Sequence, residues 1–476
     1  MGIHDTRAAD MTRVSEAPER AERVGGGRAA GTLALLCLSM FIVYLDTTIV
    51  PVVLPTARAA LHADVTGSQW ILDSYVLAFA CLLLTAGSLG DIVGRKRVFL
   101  IGMVGFVAAS VGCALAGSAG ALIAFRAAQG VFAAVVVPVN LALTGDVYPE
   151  PKARVRAISV WGGVGGLAFA AGPVVGGLLV GPFGWASIFW LNVPLGLAAT
   201  IGLARLLPAT RPPQGRRLDP VGQVLFVLGA AGLTYGLIEG NAQGWSSPAI
   251  VTAFVVAALA LTGFGLWERR CAHPMLPAAV LRVPAAVAAC AVNFLGLFGM
   301  FAALFLLTFY FQQEEHLPPI ATGMRFLALT AAIAVSALGS PPLAARIGTR
   351  TTMIAGAVSV AIGLAGLVLV GQHTSFTTYA WALVLLGLGI SPSAGVVAVS
   401  AALVAVPPEL TGTTSGTVNT FRQIGAALGV ALAGLFVAVD GLIGGMHITF
   451  VVASTGAVLG AVAVFLALRS PARAAS

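Results

Sequence analysis

The chain has 476 residues, of which 58% are hydrophobic and only 9% charged, with a formal net charge of +8. A soluble domain carries about 25% charged residues, so this chain has too little polar surface to coat a globule, and lipid must solvate much of it. The positive balance does not point to nucleic acid: the basic residues form short clusters between long apolar runs, with no aromatic-interleaved basic face.

Residues 1–30 mix acids and arginines with Ala and Gly. No short apolar core with a small-residue cleavage site follows, so this segment is expected to be a disordered cytoplasmic tail. A crossing helix needs about 20 mainly apolar residues. Such runs occur near 31–54, 69–90, 98–117, 120–143, 156–180 and 185–206. Two more lie near 220–239 and 248–267, and six near 286–311, 322–344, 351–370, 378–402, 412–438 and 446–468. The runs are continuous rather than alternating, which favours fourteen helices over a β-barrel. The five cysteines form no CxxC pair and read as small buried hydrophobes, and the histidines lack metal-binding spacing.

With the N-terminus inside, all of the 26 Lys and Arg fall in alternate, cytoplasmic connections and tails except four. The four are Arg58 and Arg325 outside and Arg126 and Arg422 within spans. A wrong span count would scramble this alternation, so the bias supports both the number and an orientation with both termini cytoplasmic.

The turn Gly87-Ser88-Leu89-Gly90-Asp91-Ile92-Val93-Gly94-Arg95-Lys96 follows the second span, and a degenerate echo, Leu343 to Arg350, follows the tenth. These positions are equivalent if the chain holds two parallel six-helix halves, a transporter signature. The expected organisation is a half over 31–206, a linker at 207–285 carrying two inserted spans, a half over 286–468, and a tail at 469–476. The fold class expected is an all-α integral membrane protein.

An ionisable residue inside a span costs roughly 2.5–3.5 kcal/mol on insertion scales. The first half holds three: Asp46, Asp73 and Arg126. At about 1.5 Å per residue, all three lie in the outer half of their helices, within one layer. One base neutralises one acid, which leaves a carboxyl without a partner and able to take and lose a proton as its surroundings change. That property suits proton coupling by Asp46 or Asp73. Arg126 is expected to tune them rather than carry the proton. The alternative is a structural Asp46–Arg126 pair with Asp73 reaching the headgroups. Arg422 and Asn419 form a polar turn in span 13 that faces either a cavity or the inner interface. Glu239, Asp440, Glu314, Glu315 and His316 read as solvated groups at external span ends and loops. Pro51 and Pro55 suggest a kink in span 1, and Gly165 and Gly172-Pro173-Val174-Val175-Gly176-Gly177 suit close helix packing in span 5.

At these residues the chain resembles the major facilitator superfamily, specifically its fourteen-helix drug:proton antiporters. Gly87, Asp91, Gly94, Arg95 and Lys96 look like the G-x-L-x-D-x-x-G-R-K signature of its cytoplasmic turn. Arg126, Gln129 and Gly130 are similar to its R-x-x-Q-G motif. Gly165, Gly172, Pro173, Gly176 and Gly177 resemble its span-5 antiporter motif. Leu45 to Val50 with Leu54-Pro55, Trp70 to Tyr75, and Asn192 to Gly196 are similar to further motifs of the drug exporters. Three departures stand out: Pro51 in place of Asn, Phe132 in place of Gly, and Ala345 in place of the acid of the second-half echo.

The resemblance implies a major facilitator fold of two six-helix halves plus two inserted linker helices. It implies a monomer in a bacterial cell membrane that exports small lipophilic drugs or antibiotics in exchange for protons by alternating access, without a cofactor. Asp91, aided by Arg95, would tie the inner helix ends. Tyr44, Asn192, Asn419 and Arg422 are candidate cavity residues, and Phe41, Phe301, Phe305 and Tyr310 are further aromatics that either line it or pack. No nucleotide-binding loop of the G-x4-G-K-[ST] kind occurs. An importer or facilitator on the same fold is the alternative; a membrane-embedded enzyme or a receptor fits less well.

Overall fold

In the computed structural model of the chain, the apolar runs form helices, and no strand occurs among the described residues, which are 26–208, 219–271, 274–276, 278–372, 374–407 and 410–468. Hydrocarbon offers no hydrogen-bond partner, so each crossing segment must satisfy its backbone internally.

The first half comprises α1 (Gly26–Ala60), α2 (Val65–Val93), α3 (Arg95–Ala114), α4 (Ala119–Val147), α5 (Pro151–Phe183) and α6 (Ser187–Leu206). Local chemistry sets their starts. Asp64 accepts from Gly67 N, Ser118 from Ala121 N, and Glu150 from Lys152 N and Ala153 N, each satisfying donors that a helix start leaves unpaired. The inserted pair is α7 (Pro220–Gln243) and α8 (Pro248–Glu268), capped by Asp219 and Ser247.

A short α9 (Ala278–Leu281) precedes the second half. That half holds α10 (Pro284–Phe309), which runs into a π-helical turn at Tyr310–Glu314, then α11 (Pro319–Ile347) and α12 (Thr349–Gly366). It continues through α13 (Phe376–Ala394), α14 (Val396–Val404) and the 57-residue α15 (Thr411–Ala467).

Helix α15 is two crossings. Gly441 has φ 71° and ψ 178°, and a Cβ on Gly445 would lie 2.6 Å from the Cα of Val437. A straight helix separates those residues by about 12 Å, so the chain turns back on itself there. Twelve described helical segments are long and apolar enough to cross a membrane. Helix α2 and the second arm of α15 bring the crossings to the expected fourteen.

Several expected boundaries change. Helix α1 starts at Gly26, inside the stretch read as tail, where Thr32 Oγ1 already donates to the Arg28 carbonyl. Pro51 and Pro55 sit inside an unbroken α1. The span expected over 378–402 is two helices parted at Gly395. Residues 1–25 and 469–476, expected as tails, and most of the linker stretch at 209–218 lie outside the described residues.

The repeat seen in the sequence has a structural counterpart. Gly94 (φ 106°) and Gly348 (φ 88°) each join two helices at matching places in the halves, a backbone angle that glycine adopts without Cβ strain. Apolar side chains also cover the periphery, with Leu338, Leu115 and Val404 among the most exposed, as expected of a surface that faces lipid.

The two halves meet at the end remote from Arg95, Lys96 and Arg350. There Gln312 Nε2 donates to the Val52 carbonyl at 2.7 Å, and Gln69 Nε2 to that of Ala431 at 3.1 Å. Towards the basic end they diverge around a cavity of about 710 Å³.

Candidate functional site

Asp46 lies at the centre of a buried polar cluster that draws on five helices, α1, α2, α3, α4 and α6. One carboxylate oxygen pairs with Arg126 Nη1. The other accepts from Asn192 Nδ2 at 2.8 Å and Gln129 Nε2 at 3.1 Å. Gln129 Nε2 also donates to Ser110 Oγ at 2.8 Å, and its Oε1 accepts from Arg126 at 2.6 Å. Arg126 Nε reaches the Ile71 carbonyl of α2 at 3.2 Å, while the guanidinium lies 4.2 Å from the centre of the Tyr75 ring. Asp46, Arg126, Gln129 and Asn192 are all at most 1% exposed, so their polar atoms depend on each other.

This arrangement contains the Asp46–Arg126 pair of the alternative reading, while Asn192, a candidate for the cavity wall, clamps the carboxylate instead. Gly130 permits it: a Cβ there would collide with the Tyr75 carbonyl, so only glycine brings α4 this close to α2. The bulk of Phe132 is taken up by Gly105, over which its ring packs.

Breaking a buried ion pair by removing one partner costs about 3–5 kcal/mol. Asp46→Asn and Arg126→Ala are therefore expected to lower the melting temperature of the purified protein, measured by thermal unfolding in detergent. Asp73→Asn is expected to leave it unchanged or raise it, for the reason that follows.

Asp73 is fully buried, and neither carboxylate oxygen has a hydrogen-bond partner among the described residues. It neither joins Arg126 nor reaches the headgroups. Helical geometry explains why. The Tyr75 ring faces Arg126, and a residue two positions before it points about 200° away. Asp73 shares its face with Gln69, which donates to α15, and with Leu77 and Cys81, which pack in one cluster with Ile424 of α15. The orphan carboxyl thus belongs to the seam between the halves.

The cavity wall is largely apolar, with Met40, Phe169, Trp161, Met300 and Ile333 among its residues. Tyr44, Asn419 and Arg422 also line it. The Arg422 guanidinium lies 4.9 Å from the centre of the Phe169 ring and 5.7 Å from that of Tyr44, and its Nε has no hydrogen-bond partner among the described residues. Phe301, Phe305 and Tyr310 are buried packing residues instead. Phe41 packs partly buried against the core, away from the wall. Trp161 and Phe169 were missed; both sit on α5 near the glycine motif, the one available signal.

That motif uses two faces of α5. Gly165, Gly172 and Gly176 face α1, where a Cβ would strike Met40, Thr48 and Ile49 respectively. Gly177 and Pro173 face α11: a Cβ on Gly177 would lie 2.6 Å from the Pro319 carbonyl oxygen, and one on Gly323 2.6 Å from that of Pro173. The motif therefore joins the halves, with Gly323 as a partner that the sequence reading did not single out.

At the basic end Arg95 Nη1 pairs with Asp146 of α4 at 2.6 Å, and Lys96 Nζ donates to the Ala204 carbonyl at 2.8 Å and to that of Leu207. The side chain of Asp91, and Gly87 beside it, lie outside the described side chains, although both are helical. Gly94 closes the turn.

Two groups read as solvated are engaged. Glu315 pairs with Arg325 and accepts from Tyr379 Oη at 3.3 Å. Glu239 accepts from Trp70 Nε1 at 2.9 Å and from Gln243 at 3.0 Å. Each faces a helix from elsewhere in the chain, which local sequence does not reveal. Asp440 is exposed.

Two helical halves joined at one end around a cavity that opens at the other define a membrane transporter of the alternating-access class. The Major Facilitator Superfamily model matches residues 36–430, and the chain belongs to that superfamily. It is 35% identical over 414 residues, 87% of this chain and 76% of the relative, to a tetracenomycin C resistance and export protein of Streptomyces glaucescens. It is 34% identical over 407 residues, 85% of this chain and 75% of the relative, to the multidrug resistance protein Stp of Mycobacterium tuberculosis. Among solved structures it superposes on the POT family transporter PepTSo with a TM-score of 0.66 at 16% identity, covering 92% of this chain and 97% of that one. The human organic anion transporter MFSD10 gives a TM-score of 0.58 at 18% identity, covering 92% and 99%.

Proposed function

We propose that this chain exports small lipophilic molecules, antibiotics among them, in exchange for protons across a bacterial cell membrane, with the basic end and both termini cytoplasmic. The observation that carries the coupling is Asp73, a carboxyl buried without a hydrogen-bond partner among the described residues, in the seam that has to part for the opposite side to open. An ionised carboxylate there has no compensating hydrogen bond from the described residues, so the neutral form fits the closed seam. Ionisation favours a parted, hydrated seam.

In this conformation the cavity faces the cytoplasm, ready to load. Loss of the Asp73 proton to that side as substrate binds removes stability from the seam, the halves rock, and substrate leaves outward. A proton taken from the external side restores the closed seam. Arg126 links the two acids, because it holds Asp46 with one nitrogen and the α2 backbone two residues before Asp73 with another. Asp46 then serves as the charge that keeps Arg126 in place against α2. The export direction draws support from relatives whose names describe resistance and export.

The test is accumulation of antibiotics and lipophilic dyes in an efflux-deficient bacterial host that expresses the chain. Lowered accumulation that a protonophore abolishes is expected; accumulation above that of the empty host would identify an importer. Within such an assay, Arg422→Ala is expected to weaken export of aromatic substrates by about fivefold to tenfold, because an exposed-to-cavity cation over aromatic rings contributes about 1 kcal/mol or more to a π ligand. Unchanged concentration dependence would remove Arg422 from the binding wall.

A further inference from the structure

The two halves share two lateral seams, α2 against α15 and α5 against α11, and the molecule treats them differently. The inserted pair lies along the first from end to end. Asn241 Nδ2 donates to the Leu435 carbonyl at 3.2 Å, and Trp70 to Glu239 at 2.9 Å. Further along, Phe226 and Phe264 pack with Leu77 and Cys81 of α2 and Ile424 of α15, and Gln223 Nε2 donates to the Cys81 carbonyl at 2.8 Å. Helix α7 therefore bridges both sides of this seam.

No other described helix covers the second seam. Helices α5 and α11 touch at Gly177 and Gly323, and again where a Cβ on Gly166 would lie 3.2 Å from Ala337 Cβ. Beyond that contact the glycines border open space: Gly162, Gly163 and Gly339 have nothing within 4 Å of where a Cβ would stand. The slit is continuous with the cavity, since Ile158, Gly162, Gly166 and Ala337 line the cavity itself. Its rim is apolar and outward-facing: Ile158 is 37% exposed, Val335 63% and Leu338 74%.

We infer that lipophilic substrate reaches the cavity sideways from the bilayer leaflet at the basic end, through the α5–α11 slit, and that the inserted helix pair confines this access to one seam by sealing the other. The inference that substrate uses the slit rests on the export reading; the lipid accessibility of the slit does not. An apolar solute in the leaflet meets the apolar side chains of Ile158, Val335 and Leu338 here, whereas the axial mouth carries Arg95 and Asp219.

Trp161, fixed by a 2.9 Å hydrogen bond to Asn140 and lining the cavity next to Gly162, reports on the slit. The full chain is placed in nanodiscs whose acyl chains are brominated at mid-length, and the emission of Trp161 is taken as the difference between wild type and Trp161→Phe. Bromine is expected to quench it, and Gly163→Phe combined with Gly339→Phe, side chains that start in open space, is expected to abolish the quenching while aqueous iodide still quenches. Absence of bromine quenching, or quenching that the two phenylalanines leave intact, overturns the slit. In cells, the same double variant is expected to lose export of a membrane-partitioning dye, and Gln223→Ala with Phe226→Ala, which loosens the seal, to restore part of it. Full dye export by the plugged variant overturns the route. A wild-type chain that moves no dye, yet shows the bromine quenching, refutes the export reading and leaves the slit standing.

Discussion

Asp73→Asn is expected to bind substrate and exchange it across the membrane yet lose accumulation against a gradient by tenfold or more. The amide is neutral like the protonated acid, so the closed α2–α15 seam no longer depends on a proton. Burying an unpaired carboxylate costs several kcal/mol, and about 1.4 kcal/mol already shifts a two-state equilibrium tenfold. The sign for pH follows from the same argument: acid favours the closed seam, and alkali favours its parting. A spin-label pair placed across α2 and α15 at exposed positions should widen as pH rises in the wild-type chain and stay narrow in the variant. Energised efflux from inverted vesicles, compared with counterflow exchange, separates coupling from binding. Equal energised efflux in variant and wild type would show that Asp73 carries no coupling.

Gly323→Leu is expected to be the most damaging single change outside the charged cluster. The carbonyl oxygen of Pro173 lies 2.6 Å from where a Cβ would be, and the atoms opposing it are backbone, which cannot swing aside as a long side chain can. Overpacking of this kind costs about 1–3 kcal/mol, and here it falls on one conformation only, because the contact joins the halves at the end remote from the cavity mouth. Converted at about 1.4 kcal/mol per decade, the population with that end closed falls by about fivefold to more than a hundredfold. The protein should still insert and melt normally, since neither half is disturbed internally. A proton or substrate leak in proteoliposomes and loss of accumulation are the expected readouts; Gly323→Ala should show a weaker form of both. Wild-type accumulation by Gly323→Leu would mean that the α5–α11 contact is not needed for closure.

Much of this architecture was legible without coordinates because lipid is a severe filter. It demands helices of a given length and places basic residues on one side, so the run lengths and the Lys and Arg clusters carried fourteen crossings and their alternation. The Asp46–Arg126 pair was legible only as the alternative to proton coupling, since two acids at similar depth compete for the one base. Gln129 and Gly130 came with the motif, although their physical roles, donor to Asp46 and backbone approach to Tyr75, did not.

Other assignments depended on azimuth. Asn192, expected on the cavity wall, faces Asp46; Phe301, Phe305 and Tyr310, read as possible wall aromatics, are packed inside; Glu315 and Glu239, read as solvated, hold Arg325 and Trp70. Depth along a helix can be counted from sequence, but when nearly every position is apolar the pattern does not mark which side of the helix faces which neighbour.

The amino-acid sequence by itself thus determined that this protein crosses the membrane fourteen times as two similar halves with an inserted pair, and that acids lie inside it. Only the tertiary structure decided that Asp46 is satisfied while Asp73 has no hydrogen-bond partner among the described residues, that Gly177 and Gly323 close one end, and that α7 covers one seam. The physical reason is range. Crossing a bilayer is decided within some twenty consecutive residues, whereas a partner for a buried carboxyl or a cover for a seam comes from helices far apart in the chain and depends on how they rotate when packed.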